Sequence, residues 1–276
     1  MTRKASRNCH SLATKQPAHD ESYWGKHLKT LLSRINRPYP KTQFPESLSI
    51  LQKRRLGCSI AIFQAGEAGE GRLAREINGF KTPYIDETYR EACRLFVAEE
   101  GRHGRILDDM LKELDTTRKR DSRTEHLFIH ARRLAGIRIK LLVLLLAELV
   151  GFSYYSALVN LLDECPAKGA LSEIRDDEHD HLRFHLDFFR CMSRHSGIAG
   201  ALSALLCLVI GLSSFALVAA EHRAALACMG GNAWGFALEG WRRVVSLSFL
   251  ILPISSTHSM AGEKWLESIQ TSNTNP

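Results

Sequence analysis

Glu-x-x-His occurs twice in this 276-residue sequence, as Glu100-Gly101-Arg102-His103 and Glu178-His179-Asp180-His181. On a helix, residues three apart share a face, with Cβ atoms roughly 5–6 Å apart. A carboxylate oxygen and an imidazole nitrogen at this spacing can reach one metal ion. One pair alone is weak, because Glu and His are common on solvated helix faces. Two pairs, each in the middle of an apolar helical stretch, point to a pair of metal ions held between helices. A dinuclear bundle site of this kind needs two further carboxylates, one from each of two other helices.

One of those carboxylates stands out by contrast. Glu148 lies between Leu141–Ala147 and Leu149–Phe152, in a segment otherwise wholly apolar. A buried carboxylate must be protonated, paired or metal-bound, since an unpaired one costs several kcal/mol. No basic residue lies within a turn of it, which disfavours a local salt bridge. The other carboxylate is Glu67 or Glu70, in Ala65-Gly66-Glu67-Ala68-Gly69-Glu70-Gly71-Arg72. These two lie three apart, so one could bind metal and the other support it. Four carboxylates and two imidazoles suit two iron ions, with manganese as the competitor; zinc prefers fewer ligands, often thiolates. Glu100 and Glu178 are the expected bridging carboxylates. Ligating histidines usually donate their other N–H to a carboxylate. Asp177 lies i−4 to His181 and Glu99 lies i−4 to His103, so each is expected beside the histidine of its own helix. His185, one turn beyond His181, is a further outer-shell candidate. His126, His130, His195, His222 and His258 have no metal-like spacing and read as structural.

The elements that must position these groups are helices. Residues 1–45 carry Pro17, Pro38, Pro40 and Pro45 and read as a basic, disordered tail with one short amphipathic helix near Trp24–Ile35. From Glu46 onward prolines are rare and turn clusters widely spaced. The first long helix is expected over Ser47–Ile77, ending at Asn78-Gly79. The second runs from Asp86 to Leu114, the third from Thr124 to Leu162, the fourth from Lys168 to His195. Residues 46–195 thus form a four-helix domain. Residues 196–276 form hydrophobic C-terminal helices: Gly197–Cys228, then one from Trp234 interrupted by Pro253. The charge-free run Ile198–Ala220 is long enough to span a bilayer, but Gly200, Ser203, Gly211, Ser213 and Ser214 dilute it. It reads as a core or homodimer-interface helix, with peripheral membrane contact or a true span as alternatives. Leu141–Ala147 is too short to span.

Composition bounds the partners. Apolar residues make up 45% and charged residues 24%, ordinary for a globular chain. The formal charge of +7 looks like a nucleic-acid signal. Residues 1–45, however, hold nine Lys and Arg against two acids, which accounts for all of it. The remainder is balanced, and nothing in the tail suggests an aromatic stacking platform, so no nucleic acid is expected. Seven scattered cysteines without a CxxC pair argue for free thiols in a reducing, cytoplasmic compartment and against a thiolate zinc site. No secretory signal is apparent; an organellar transit peptide stays open.

The carboxylate and histidine pattern resembles the di-iron carboxylate proteins of the ferritin-like superfamily, and within it the demethoxyubiquinone hydroxylase (Coq7-type) family. That family carries Ala-Gly-Glu-x-Gly-x-x-Arg on its first bundle helix, which residues 65–72 reproduce. The resemblance selects Glu67 over Glu70 and implies the ligand set Glu67, Glu100, His103, Glu148, Glu178 and His181. It covers residues 60 to 190 and implies a ferritin-like four-helix bundle with one or two additional C-terminal hydrophobic helices. Where the family has a His-Tyr pair for electron or proton delivery, this chain has Tyr154-Tyr155, so Tyr155 is the implied catalytic relay. The expected activity is that of a di-iron oxygenase or hydroxylase, with O₂ as co-substrate, an apolar, quinone-like or lipid-like substrate, and an electron donor of unspecified type. The alternative is an iron-handling or peroxide-reducing protein of ferritin or rubrerythrin type; a helical interaction protein with a vestigial site ranks last.

Overall fold

A computed structural model describes residues 21–67, 73–117, 136–252 and 258–271. Among these residues it contains nine helices and no strand. They are α1 (Glu21–Arg34), α2 (Ile50–Glu67), α3 (Leu73–Gly79), α4 (Glu87–Glu113) and α5 (Ile137–Leu161), then α6 (Pro166–His195), α7 (Gly197–Cys228), α8 (Ala233–Ile251) and α9 (His258–Thr271). The first long helix expected from sequence is described as α2 and α3, with residues 68–72 outside the described set. The third is described only from Ile137, since residues 118–135 also lie outside it.

Local chemistry sets the helix ends. Asp86 caps α4 by accepting from the Tyr89 backbone N–H at 2.8 Å, and Ser196 and Asn232 cap α7 and α8 in the same manner. Pro166 opens α6 at a position whose missing N–H costs nothing. Gly230, at φ +88°, takes the left-handed conformation that ends α7.

Helices α2, α4, α5 and α6 pack around a common interior. Contacts join α2 to α4, α4 to α6 and α5 to α6, and Phe63 of α2 stacks on Tyr154 of α5 at 3.9 Å. Two apolar clusters fill this interior. One includes Phe96, Leu145, Leu149 and Phe184; the other includes Ile60, Ile106, Tyr155 and Ile174. Along α4 they break between Phe96 and Ile106, and along α6 between Ile174 and Leu182. Both Glu-x-x-His pairs lie in those breaks.

Two helices, α5 and α7, are long and apolar enough to cross a membrane by length and composition. Their burial differs: 89% of the apolar window is enclosed in α5 but only 33% in α7. The full helix makes α5 longer than its Leu141–Ala147 run suggested. Helix α7 packs on α2, α5, α6 and α8. Its α8 contact is close: a Cβ added at Gly211 would come within 2.7 Å of Val244 Cγ1.

The tail expected over residues 1–45 needs correction. Residues 1–20 lie outside the described set, but 21–34 form α1, whose inner face is buried. Trp24, His27, Leu31 and Arg34 share one face of α1, and Trp24 is 3% exposed. Its ring meets Tyr89 edge-on at 4.7 Å and Phe184 at 5.7 Å. The short helix expected near Trp24–Ile35 is therefore docked. Truncating an enclosed Trp costs about 3–5 kcal/mol. Trp24→Ala is expected to lower stability on that scale and to speed hydrogen exchange in 21–37; unchanged exchange there would mean α1 is not held by this contact.

Candidate metal centre

Four donor groups converge between α4 and α6. Ligand atoms of Glu100, His103, Glu178 and His181 all lie within 4.8 Å of one another, and all four residues are buried. His103 Nδ1 is 3.3 Å from Glu178 Oε1 and 3.7 Å from Glu100 Oε1. His181 Nδ1 is 2.9 Å from Glu100 Oε1. Helix α5 adds Glu148, whose Oε2 is 3.4 Å from His181 Nδ1. Helix α2 ends in Glu67, which is half-buried. Its Oε1 accepts from the Tyr155 hydroxyl at 2.7 Å, and its charge bears on Glu100 and Glu178. Gly151, one turn beyond Glu148, makes room for Glu178: an added Cβ would sit 3.3 Å from Glu178 Oε2.

The fit to a metal pair is tested by hydrogen bonding. Glu100 Oε1, His103 Nδ1, Glu148 Oε2, Glu178 Oε1 and His181 Nδ1 are all buried without a hydrogen-bond partner. Buried polar atoms are almost always satisfied, and each one left unmade costs about 1–3 kcal/mol. Here five such atoms, from three helices, face one another. Their separations are close, yet none is aligned as a hydrogen bond. Oxygen and imidazole donors left open toward a common point are what a bound cation requires.

The outward nitrogens are satisfied, but not as local spacing implied. His103 Nε2 pairs with Asp177 Oδ2 at 3.1 Å, and His181 Nε2 with Glu99 Oε2 at 2.8 Å. Each acid serves the histidine of the opposite helix. Those acids are in turn held from α1 and the residues after it. Arg37 grips both Asp177 oxygens, at 2.9 and 3.0 Å. Arg34 Nη1 reaches Asp177 Oδ1 at 3.0 Å and Glu99 Oε2 at 3.3 Å, while its Nη2 bonds Asp180. His185 touches no outer acid: it is fully buried among Phe96 and Phe184, and neither ring nitrogen has a hydrogen-bond partner. Glu70 lies outside the described residues.

Burial and mutual repulsion set the protonation pattern. Burial, then the charges of Glu67 and Glu148, hold the Glu100 carboxyl well above its ordinary range. Burial, then Glu148 and Glu100, do the same to Glu178. Burial also opposes ionisation of Glu148, but the His181 and Glu178 contacts outweigh it and bring the carboxyl down to about 2. His181 is raised well above its ordinary value: burial disfavours its charge, and Glu100, Glu148 and Glu99 outweigh burial. Burial raises the Tyr155 phenol further, followed by Glu67, so it keeps its proton and donates it. Asp177 and Glu99 are lowered, their histidine and arginine contacts overcoming burial.

Arg34, Arg37 and Gly151 are the site residues that sequence reasoning missed. A cavity of about 150 Å³ opens beside the centre, against His181, walled by Lys26, His27, Asp180, Arg183 and Phe184. Leu31 and Leu266 line it alongside these charged groups. A second polar chain adjoins Tyr155: the Tyr154 hydroxyl, Ser59 Oγ and His222 Nδ1 follow one another at 2.5 and 2.6 Å.

No protein-family model matches the chain, and neither curated proteins nor solved structures give a significant match. Among the described residues the chain is all-helical, with a buried Glu-His-Glu-His cluster that could hold a metal ion.

Metal uptake must displace protons. Glu100 and Glu178 bind protons in the folded, metal-free chain at pH values where the unfolded chain, near its ordinary 4.5, has lost them. Stability from these groups is full below that value and is lost as pH rises toward their folded values; His181 behaves alike above its ordinary 6.5. His185, lowered to about 4 by burial, opposes this between 4 and 6.5, where Glu100 and Glu178 both act against it. Chelator-treated protein is therefore expected to melt at lower temperature at pH 8 than at pH 5. Metal affinity should rise over the same range with proton release. A midpoint that climbs steadily with pH contradicts this protonation pattern.

Proposed function

We propose that α2, α4, α5 and α6 form a ferritin-like four-helix bundle that holds two iron ions and uses them to activate dioxygen against an apolar, quinone-like or lipid-like substrate. The observation that carries this reading is the set of five buried, inward-facing nitrogen and oxygen atoms without hydrogen-bond partners. Glu67, Glu100, His103, Glu148, Glu178 and His181 would hold the metals. Four carboxylates nearly neutralise two divalent cations, which removes the repulsion that otherwise forces protons onto Glu100 and Glu178.

Bound iron supplies reductive activation of O₂ in such a site. The chain's own residues do the rest. Leu145, Leu149 and Phe152, all buried around Glu148, exclude water from that side. Tyr155, whose hydroxyl donates a hydrogen bond to Glu67 Oε1 at 2.7 Å, would hold the relay proton there. Glu99 and Asp177 orient the two imidazoles. Gly151 leaves the Glu178 carboxylate free to reach inward.

A second reading is favoured by the cavity against His181, whose charged walls suit ions better than an apolar substrate. In that reading the protein handles iron or reduces peroxide. The exposed apolar residues Ile198, Leu202, Leu205 and Val209, spaced along one face of α7, suit a peripheral membrane contact or a second copy of the chain. Cys58, Cys165, Cys207 and Cys228 are free thiols, which suits a cytoplasmic setting.

Purified protein is expected to carry two irons per chain, and Glu148→Ala to lose at least one. Unchanged metal content in that variant removes Glu148 from the site. Oxygen consumption that rises on adding a quinone or lipid extract supports the oxygenase. Consumption that depends only on added iron supports the iron-handling reading. Tyr155→Phe should retain metal while slowing turnover about 10²-fold or more, the ordinary scale of a lost proton donor.

A further inference from the structure

We propose that Arg34 and Arg37 are positioning residues of the metal centre: they fix Glu99 and Asp177 as anionic acceptors, so that His181 and His103 keep their Nδ1 atoms aimed at the metal pair. This rests on the metal-centre reading above.

Charge balance is the first ground. The four inner carboxylates offset two divalent cations, and nothing in that inner set offsets Glu99 and Asp177. Both are buried. Two uncompensated anions behind the histidines would pull protons or neighbouring cations out of place. Arg34 and Arg37 supply two positive charges at that point, which they share with Asp180 and, at 3.2 Å, Glu173 on the outer side. They belong to the segment that carries the whole formal charge of the chain.

Geometry is the second ground. Arg37 meets Asp177 with two parallel contacts, at 2.9 and 3.0 Å, the fork-to-fork pairing that fixes orientation as well as charge. Arg34 contacts the outer acids of both histidines, Asp177 at 3.0 Å and Glu99 at 3.3 Å. A single guanidinium thus ties the α4 half of the site to the α6 half. A carboxylate can only accept, so each histidine donates its Nε2–H outward and turns the Nδ1 lone pair inward.

Docking of α1 does not need these arginines. Trp24 and Leu31 are buried in apolar contacts, and His27 Nε2 reaches Asp187 Oδ2 at 2.9 Å. The two arginines lie at the far end of the segment from Trp24. They can be changed while the helix keeps its anchor.

The test uses the full chain loaded with Co(II), whose visible absorption reports the ligand field. Affinity is read by chelator competition, and helix content by circular dichroism. In Arg34→Gln/Arg37→Gln, affinity is expected to fall 10–100-fold, the usual effect of losing outer-shell partners, with an altered cobalt spectrum and retained helix content. Arg34→Lys/Arg37→Lys, which restores charge without the fork, should recover part of the affinity. Adding Asp177→Asn to the glutamine variant should cost much less than in the wild type, because the anion the arginines served is gone. Should the glutamine variant lose helix content, the lysine variant alone decides, by its spectrum. Wild-type-like affinity and spectrum in the folded variants overturn the proposal alone. A wild type that binds no cobalt overturns the metal-centre reading, and the proposal with it.

Discussion

Four carboxylates enclosed in a largely apolar interior repel one another, and the structure is organised around making that tolerable. Without cations, two of them keep protons and His181 takes one. With two divalent cations the inner charges cancel. The burden then moves outward to Glu99 and Asp177, the acceptors for the two imidazoles. Those acids need counter-charges of their own, and arginines from the N-terminal helix bring them. On that reading the centre is built in nested layers of alternating charge, with Glu67 at its half-buried rim. The apolar clusters above and below the site keep water out along the bundle, so every one of these interactions acts in a medium where it counts for more than at the surface.

Much of the inner layer was legible because it is local. Glu100 with His103, and Glu178 with His181, are set by helical spacing alone, whatever the helices pack against. Glu148 was legible by contrast, one acid in a run of leucines and valines. Glu67 could not be separated from Glu70 by spacing and was selected by a motif. The outer layer was not legible. Which acid meets which histidine depends on the offset between α4 and α6, and that offset crosses the pairs relative to the i−4 expectation. Arg34 and Arg37 were hidden for a different reason. Prolines and basic residues give their segment the composition of a tail, and Asp177 lies 140 residues away in sequence. Trp24 and Leu31, seven apart on one face, were the available sign that the segment docks.

Helices α5 and α7 show the limit of composition. Both are long, apolar and free of charge over most of their length, and by hydropathy they are alike. One is enclosed by neighbours and carries Glu148 into the site; the other leaves Ile198, Leu202, Leu205 and Val209 outside. The distinction lies in what surrounds each helix, which only the packing decides. Gly211, small enough to admit Val244, marks the face of α7 that is covered.

The most direct measurement is anomalous diffraction at the iron edge from crystals grown anaerobically with Fe(II). Two peaks roughly 3.5–4 Å apart, bounded by Glu100, His103, Glu148, Glu178 and His181 with Glu67 at the rim, are the predicted result. Iron found elsewhere, or no peak among these residues in protein that retains its fold, would contradict the account.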